Sequence, residues 1–179
     1  MKKLATHLYL HQPYIIEEKA FRDVADNLYN PILRSIKNSK IRGLSISITL
    51  STLELLDSFN YKNLIQDIKD LIESERMELV PCPAYNTSIL ATGEKFVIDQ
   101  IILNEYGLGY YFGFRNGFEG ESAILIKDIS TCFYPQIDFT PGFSSDLKDL
   151  GYTVVRYKYD TVCLENRLGD NESQNTLGI

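Results

Sequence analysis

Residues 43–50 alternate strictly, with Leu44, Ile46, Ile48 and Leu50 on one set of positions and Ser45, Ser47 and Thr49 on the other. A period of two over that length puts one set on each face of a strand. On either side the period changes. Between about 18 and 39, Phe21, Val24, Ala25, Leu28, Ile32 and Leu33 recur in steps of three and four, and between 63 and 75 Leu64, Ile68, Leu71 and Ile72 share one face. Both stretches predict amphipathic helices. Pro31 should kink or restart the first, because it lacks an N–H and its ring crowds the preceding turn. Residues 4–10 predict an earlier strand that must stop by Pro13, and 77–81 a short third strand. Farther on, 96–106 reads as helix and 107–120, rich in Gly and aromatics without a period, as a loop. Residues near 130–134, 144–150 and 152–157 read as strand, helix and strand. Strands alternating with helices predict an α/β protein with a parallel sheet. About five strands are too few to close a barrel of seven or eight. An open parallel sheet exposes edge groups, so a partner chain covering it, or further chain length, is expected.

A chain of 179 residues, 44% apolar and 23% charged, can bury one real core. The net charge is −6 and the basic residues are scattered, which excludes the clustered Lys and Arg of a nucleic-acid partner. The longest apolar runs, such as 123–126, fall far short of the roughly 20 residues a membrane span needs. Lys2 and Lys3 imitate the start of a secretion signal, but His7, His11 and Gln12 interrupt the apolar stretch that should follow. Cys82, Cys132 and Cys163 are an odd, widely spaced set and read as reduced thiols. A cytoplasmic protein is expected. Residues 165–179 are polar with no apolar face, so the reading is an ordered domain over 1–157 and a polar tail, or the start of an unfinished loop, over 158–179. No phosphate-binding, nucleophile-elbow or dinucleotide motif occurs in its required context, and no cofactor is expected.

Chemistry in a parallel β/α barrel sits where the strands end at their carboxyl edge. His11, Asn86 and Gln136 each fall just after a predicted strand. Each segment also has a plainer reading. His11-Gln12-Pro13 can be a strand-terminating turn, 78–90 a connecting loop, and 133–136 an ordinary buried strand and turn. His7 and His11 lie four apart, which on a strand means ~13 Å, too far for one metal ion; no metal site is expected. Tyr9, Tyr14, Tyr85, Tyr110, Tyr111 and Tyr134 could build stacking platforms for sugars. Twelve tyrosines are equally well explained by packing.

Three segments together resemble glycoside hydrolase family 57. They are His11-Gln12-Pro13 after the first strand, residues 78–90 with Tyr85 and Ile89-Leu90, and Phe133-Tyr134-Pro135-Gln136. The resemblance spans about residues 4–157. It implies the N-terminal part of an incomplete (β/α)7-type barrel, like those of α-amylase-type, 4-α-glucanotransferase and branching enzymes, with α-glucan or an oligosaccharide as ligand. In the family an apolar run and a proline lead into a glutamate, the catalytic nucleophile; here Gln136 stands in its place. Asn86 or Thr87 replaces the family's His or Glu after the third strand. The family's second carboxylate, an aspartate acting as acid/base, has no identifiable counterpart. A retaining glycosidase needs two carboxylates ~5–5.5 Å apart, and an amide has no useful nucleophilicity. Asp138 would point the same way as Gln136 on a strand but ~7 Å away. The resemblance therefore implies a fragment or non-catalytic subunit that binds glucan through His11, Gln12, Tyr85, Asn86 and Tyr134 without turnover. Two alternatives stay open. One is an active retaining hydrolase or transferase using Asp138 or carboxylates from a partner chain. The other is a metal-dependent polysaccharide deacetylase-like protein, since related barrels use a metal-binding histidine pair.

Overall fold

The computed structural model describes residues 6–41 and 43–113, together with 132–133, 148 and 154–155. Its centre is a parallel sheet of β1 (Thr6–Leu10), β2 (Leu44–Ile48) and β3 (Met77–Leu79), in that spatial order. Thr6 lies opposite Leu44, and Leu44 opposite Met77. The alternation noted in the sequence sorts the faces. Leu10, Leu44, Ile46, Ile48, Met77 and Leu79 enter one apolar core with the helices. His7, Ser45, Ser47 and Thr49 occupy the intervening positions, and His7 Nδ1 lies 2.8 Å from Ser45 Oγ.

The first crossover runs α1 (Glu18–Val24), one π turn (Ala25–Tyr29), then α2 (Asn30–Asn38). The chain accommodates Pro31 without a break. Just before it, the Asn30 N–H reaches back five residues to the Ala25 carbonyl. This wider turn makes room for a ring that would otherwise press on the carbonyl four residues back. Phe21, Ala25, Tyr29, Leu33 and Ile36 form the buried stripe. Arg76 closes the far end of α2, donating to the carbonyls of Ile36, Lys37 and Ser39, a cation at the negative end of the helix dipole.

The strand expected over 43–50 ends at Ile48. The Thr49 N–H still pairs with the Leu10 carbonyl at 3.1 Å, but the Thr49 side chain accepts from the Thr52 N–H and opens α3 (Leu50–Ser58), as an N-cap threonine does. The alternation had hidden this helix. α4 (Lys62–Glu73) follows, near its expected bounds. After β3, the Val80 N–H makes one more ladder bond to Ile46 before Pro81 ends the strand.

α5 (Ile89–Thr92) is a single turn, and α6 (Glu94–Phe112) runs through the glycine- and tyrosine-rich stretch expected to be a loop from residue 107. Packing overrides propensity there. Leu108 and Phe112 are buried, and Gly107 lies so close to α3 that a Cβ on it would come within 2.4 Å of Leu50 Cδ1. The helix ends at Gly113, whose left-handed conformation (φ +74°) suits a glycine cap. β4 (Cys132–Phe133) and β5 (Val154–Val155) pair in parallel, in a sheet of their own. The described residues thus give an α/β arrangement around a three-stranded parallel sheet rather than one continuous five-stranded sheet. Tyr134, Gln136, Asp138 and residues 158–179 lie outside the described residues.

Candidate functional site

Because β1, β2 and β3 are parallel, His11, Thr49 and the segment after Val80 leave the sheet at one edge. The first turn of α3 holds that edge together. Thr52 Oγ1 accepts from the Gln12 N–H at 2.8 Å, and Ser51 Oγ donates to the Gln12 carbonyl at 2.9 Å. The Ser51 N–H bonds the Ala84 carbonyl at 3.2 Å, tying in the loop after β3. Thr49 Oγ1 sits 3.0 Å from Ser51 Oγ and 2.9 Å from Thr52 Oγ1. Thr49, Ser51 and Thr52 are fully buried, where each unmade hydrogen bond is costly. They therefore fix the backbone of residues 10–12. The Gln12 side chain is committed as well, its Nε2 donating to Tyr29 Oη at 2.9 Å. Tyr29 is buried and reaches Gln12 from the π turn, so the helix irregularity serves the site.

His11 is half-buried, with Nδ1 3.3 Å from Thr49 Oγ1. Burial holds its pKa below the ordinary histidine value of 6.5, so it is neutral near pH 7 and offers one donor and one acceptor. Its ring lies 6.2 Å from that of Tyr9. Tyr9 in turn donates its hydroxyl to Asn86 Oδ1 at 2.8 Å. Asn86 adopts a left-handed conformation (φ +52°), which asparagine tolerates better than most residues. Next to it, Tyr85 points elsewhere, its hydroxyl donating to the Glu54 carboxylate of α3 at 3.1 and 3.3 Å.

Four residues singled out from the sequence, His11, Gln12, Tyr85 and Asn86, thus meet at the carboxyl edge. Gln12 acts there as a tie to Tyr29. The roles of Thr49, Thr52 and Glu54 escaped the sequence reading because α3 did. The available signal was Thr49 followed by Thr52 and then Leu53 and Leu56 at helical spacing.

Beneath the edge, Asn104 of α6 is buried and stands in for a missing strand partner. Its Nδ2 lies 3.4 Å from the Ile48 carbonyl and 3.5 Å from Cys82 Sγ. Cys82 is a free, fully buried thiol whose pKa burial pushes far up, so it stays protonated and unreactive. Among the described residues, no group of three His, Cys, Asp or Glu side chains is placed to hold a metal ion. No described helix is long and apolar enough to cross a membrane.

The depressed pKa of His11 has a measurable consequence. The folded state favours the neutral ring, so below pH 6.5 the unfolded chain binds more protons. This contribution to stability is fully present above that value and is lost as pH falls from 6.5 through the folded pKa. His11→Gln should flatten that limb of a melting-temperature profile between pH 7.5 and 5. An unchanged slope in the variant would remove His11 as its source.

No protein-family model matches this chain, and no curated protein sequence does. Solved structures do. The chain is similar to the 4-alpha-glucanotransferase from Thermococcus litoralis, with a TM-score of 0.69 at 15% identity over 87% of this chain and 22% of that one. It is also similar to the alpha-amylase AmyC from Thermotoga maritima, with a TM-score of 0.56 at 13% identity over 75% of this chain and 40% of that one. The chain therefore spans about a fifth and two fifths of those proteins. Over the part it shares with them, it has the α/β fold of a glucanotransferase and an α-amylase.

Proposed function

We propose that this chain is a glycoside hydrolase family 57-like protein of carbohydrate metabolism that binds α-glucan and does not turn it over. The observation that supports this most is the carboxyl-edge group. A neutral His11, the hydroxyl–amide pair of Tyr9 and Asn86, and Tyr85 gather where three parallel strands end, on a fold shared with a glucanotransferase. Neutral donors and acceptors beside aromatic rings suit sugar hydroxyls and the apolar faces of pyranoses. The absence of turnover follows from Gln136 at the position where the resemblance expects a glutamate. An amide can hydrogen-bond a sugar but cannot form a glycosyl ester. A cytoplasmic location is proposed from the odd, widely spaced set of three cysteines.

Titration of the full chain with maltoheptaose should show saturable binding, and the sugar should be recovered intact. Asn86→Ala removes the acceptor for Tyr9 and one hydroxyl-reading amide. It should weaken the complex about tenfold, the equivalent of one or two unmade hydrogen bonds. Calorimetry would measure this directly. If wild type shows no saturable binding, the proposal fails.

A further inference from the structure

We propose that Tyr85 of the strand-end group, with Tyr14 and Glu54 beside it, forms a second sugar subsite that takes one glucosyl unit of the same α-glucan. This rests on the function proposed above and adds residues to it. Tyr14 and Tyr85 come from the loops after β1 and β3, and their rings meet edge to face, with centroids 6.1 Å apart and planes at 79°. They are 61% and 38% exposed, too open for core packing to account for the contact. The perpendicular rings form a corner, with one face for stacking and one edge beside it. Glu54 closes the corner from α3 and holds the Tyr85 hydroxyl.

The carboxylate uses one lone pair of each oxygen on that hydroxyl, and the others can accept from sugar hydroxyls. An aromatic face beside a hydroxyl acceptor matches a pyranose, which presents C–H bonds on its faces and O–H groups around its rim. A cation could use the same ring face beside the Glu54 carboxylate, and the peptide arm of the test below separates that outcome from a sugar. α6 extends the surface. Burial, followed by the negative charge of Asp57 and Glu54, pushes the Tyr111 hydroxyl up to about 12. Tyr110 packs edge to face on Tyr111 with centroids 5.0 Å apart. The corner and the first site share two loops, since Tyr85 adjoins Asn86 and Tyr14 follows His11 by three residues.

The chain has no tryptophan and twelve tyrosines, so the part of a tyrosine-emission change that Tyr14→Ala removes reports on this corner. Maltoheptaose added to the full chain should change that emission, and calorimetry should give its affinity. Tyr14→Ala and Glu54→Gln should each weaken the affinity about five- to tenfold, and Tyr85→Phe, which keeps the ring, should lose less than Tyr85→Ala. Thermal melting of each variant checks that the exposed substitutions leave the fold intact. Affinity unchanged in Tyr14→Ala and Glu54→Gln, yet reduced in Asn86→Ala, would overturn the subsite and leave the functional proposal standing. Failure of wild type to bind maltoheptaose would overturn both. Saturation by a lysine-rich peptide that Tyr14→Ala abolishes, without a comparable loss for the sugar, would assign the corner to a cation and overturn the subsite.

Discussion

Under the function proposed above, Gln136→Glu is expected to turn a sugar binder into a protein that captures a glycosyl group covalently. The new carboxylate would supply the nucleophile that the sequence resemblance places at this position. The informative substrate is α-maltosyl fluoride. Attack by the carboxylate oxygen forms a bond to the anomeric carbon as the carbon–fluorine bond breaks, and fluoride leaves with the electron pair. Fluoride needs no proton to depart, so this step does not call on a general acid. Hydrolysis of the resulting ester does call on a general base, and the sequence resemblance places no aspartate in that role. The adduct should therefore accumulate and be visible as a maltosyl increment in the intact mass, located on the peptide that contains position 136. Wild type should react slower by a factor on the order of 10⁴–10⁶, the usual effect of deleting a covalent nucleophile. An unlabelled Gln136→Glu protein would detach this residue from glycoside chemistry. Labelling or cleavage in wild type that disappears in Asp138→Asn would instead give the reaction to Asp138.

The parallel α/β character was legible because the strand and helix periods differ so plainly on either side of residues 43–50. Two errors came from places where tertiary contacts outvote local signals. Thr49 and Leu50 continue the strand alternation, but Thr49 is needed as a helix cap and as the neighbour of His11, so the strand stops at Ile48, two residues short of the expected end. Residues 107–112 contain two glycines and three aromatics, poor helix formers in isolation. They stay helical because Gly107 lets α6 approach Leu50 while Leu108 and Phe112 fill the core. The site shows the same division. His11, Tyr85 and Asn86 could be picked out as polar or aromatic residues just past strand ends. The long-range contacts that hold Gln12 and Tyr85 could not be, since Thr52 and Tyr29 lie 40 and 17 residues from Gln12 and Glu54 lies 31 from Tyr85. Only the folded chain brings such distant pairs together.

The same long-range dependence makes Phe21→Ala one of the most destabilising single changes expected among the described residues. Phe21 is fully buried. Its ring lies 5.4 Å from that of Phe59 and meets Tyr61 edge-on at 6.1 Å. Phe59 follows the end of α3 and Tyr61 opens α4, so this one side chain fastens the first crossover to the α3–α4 connection. Truncation leaves a cavity as well as lost apolar transfer, and should cost about 3–5 kcal/mol, a large part of the roughly 5–15 kcal/mol that holds a domain folded. Arg22 lies over the same two rings, 5.7 Å from each centroid, but is exposed, so Arg22→Ala should cost well under a third as much. Urea denaturation of the two variants separates these effects. The site should feel the core change too, because α1 and its π turn carry Tyr29 to Gln12. In Phe21→Leu, which keeps most of the volume, maltoheptaose binding should survive together with the fold. A Phe21→Ala protein with the urea midpoint of wild type would mean that α1 does not rest on this contact, and the route from core to strand edge would have to be redrawn.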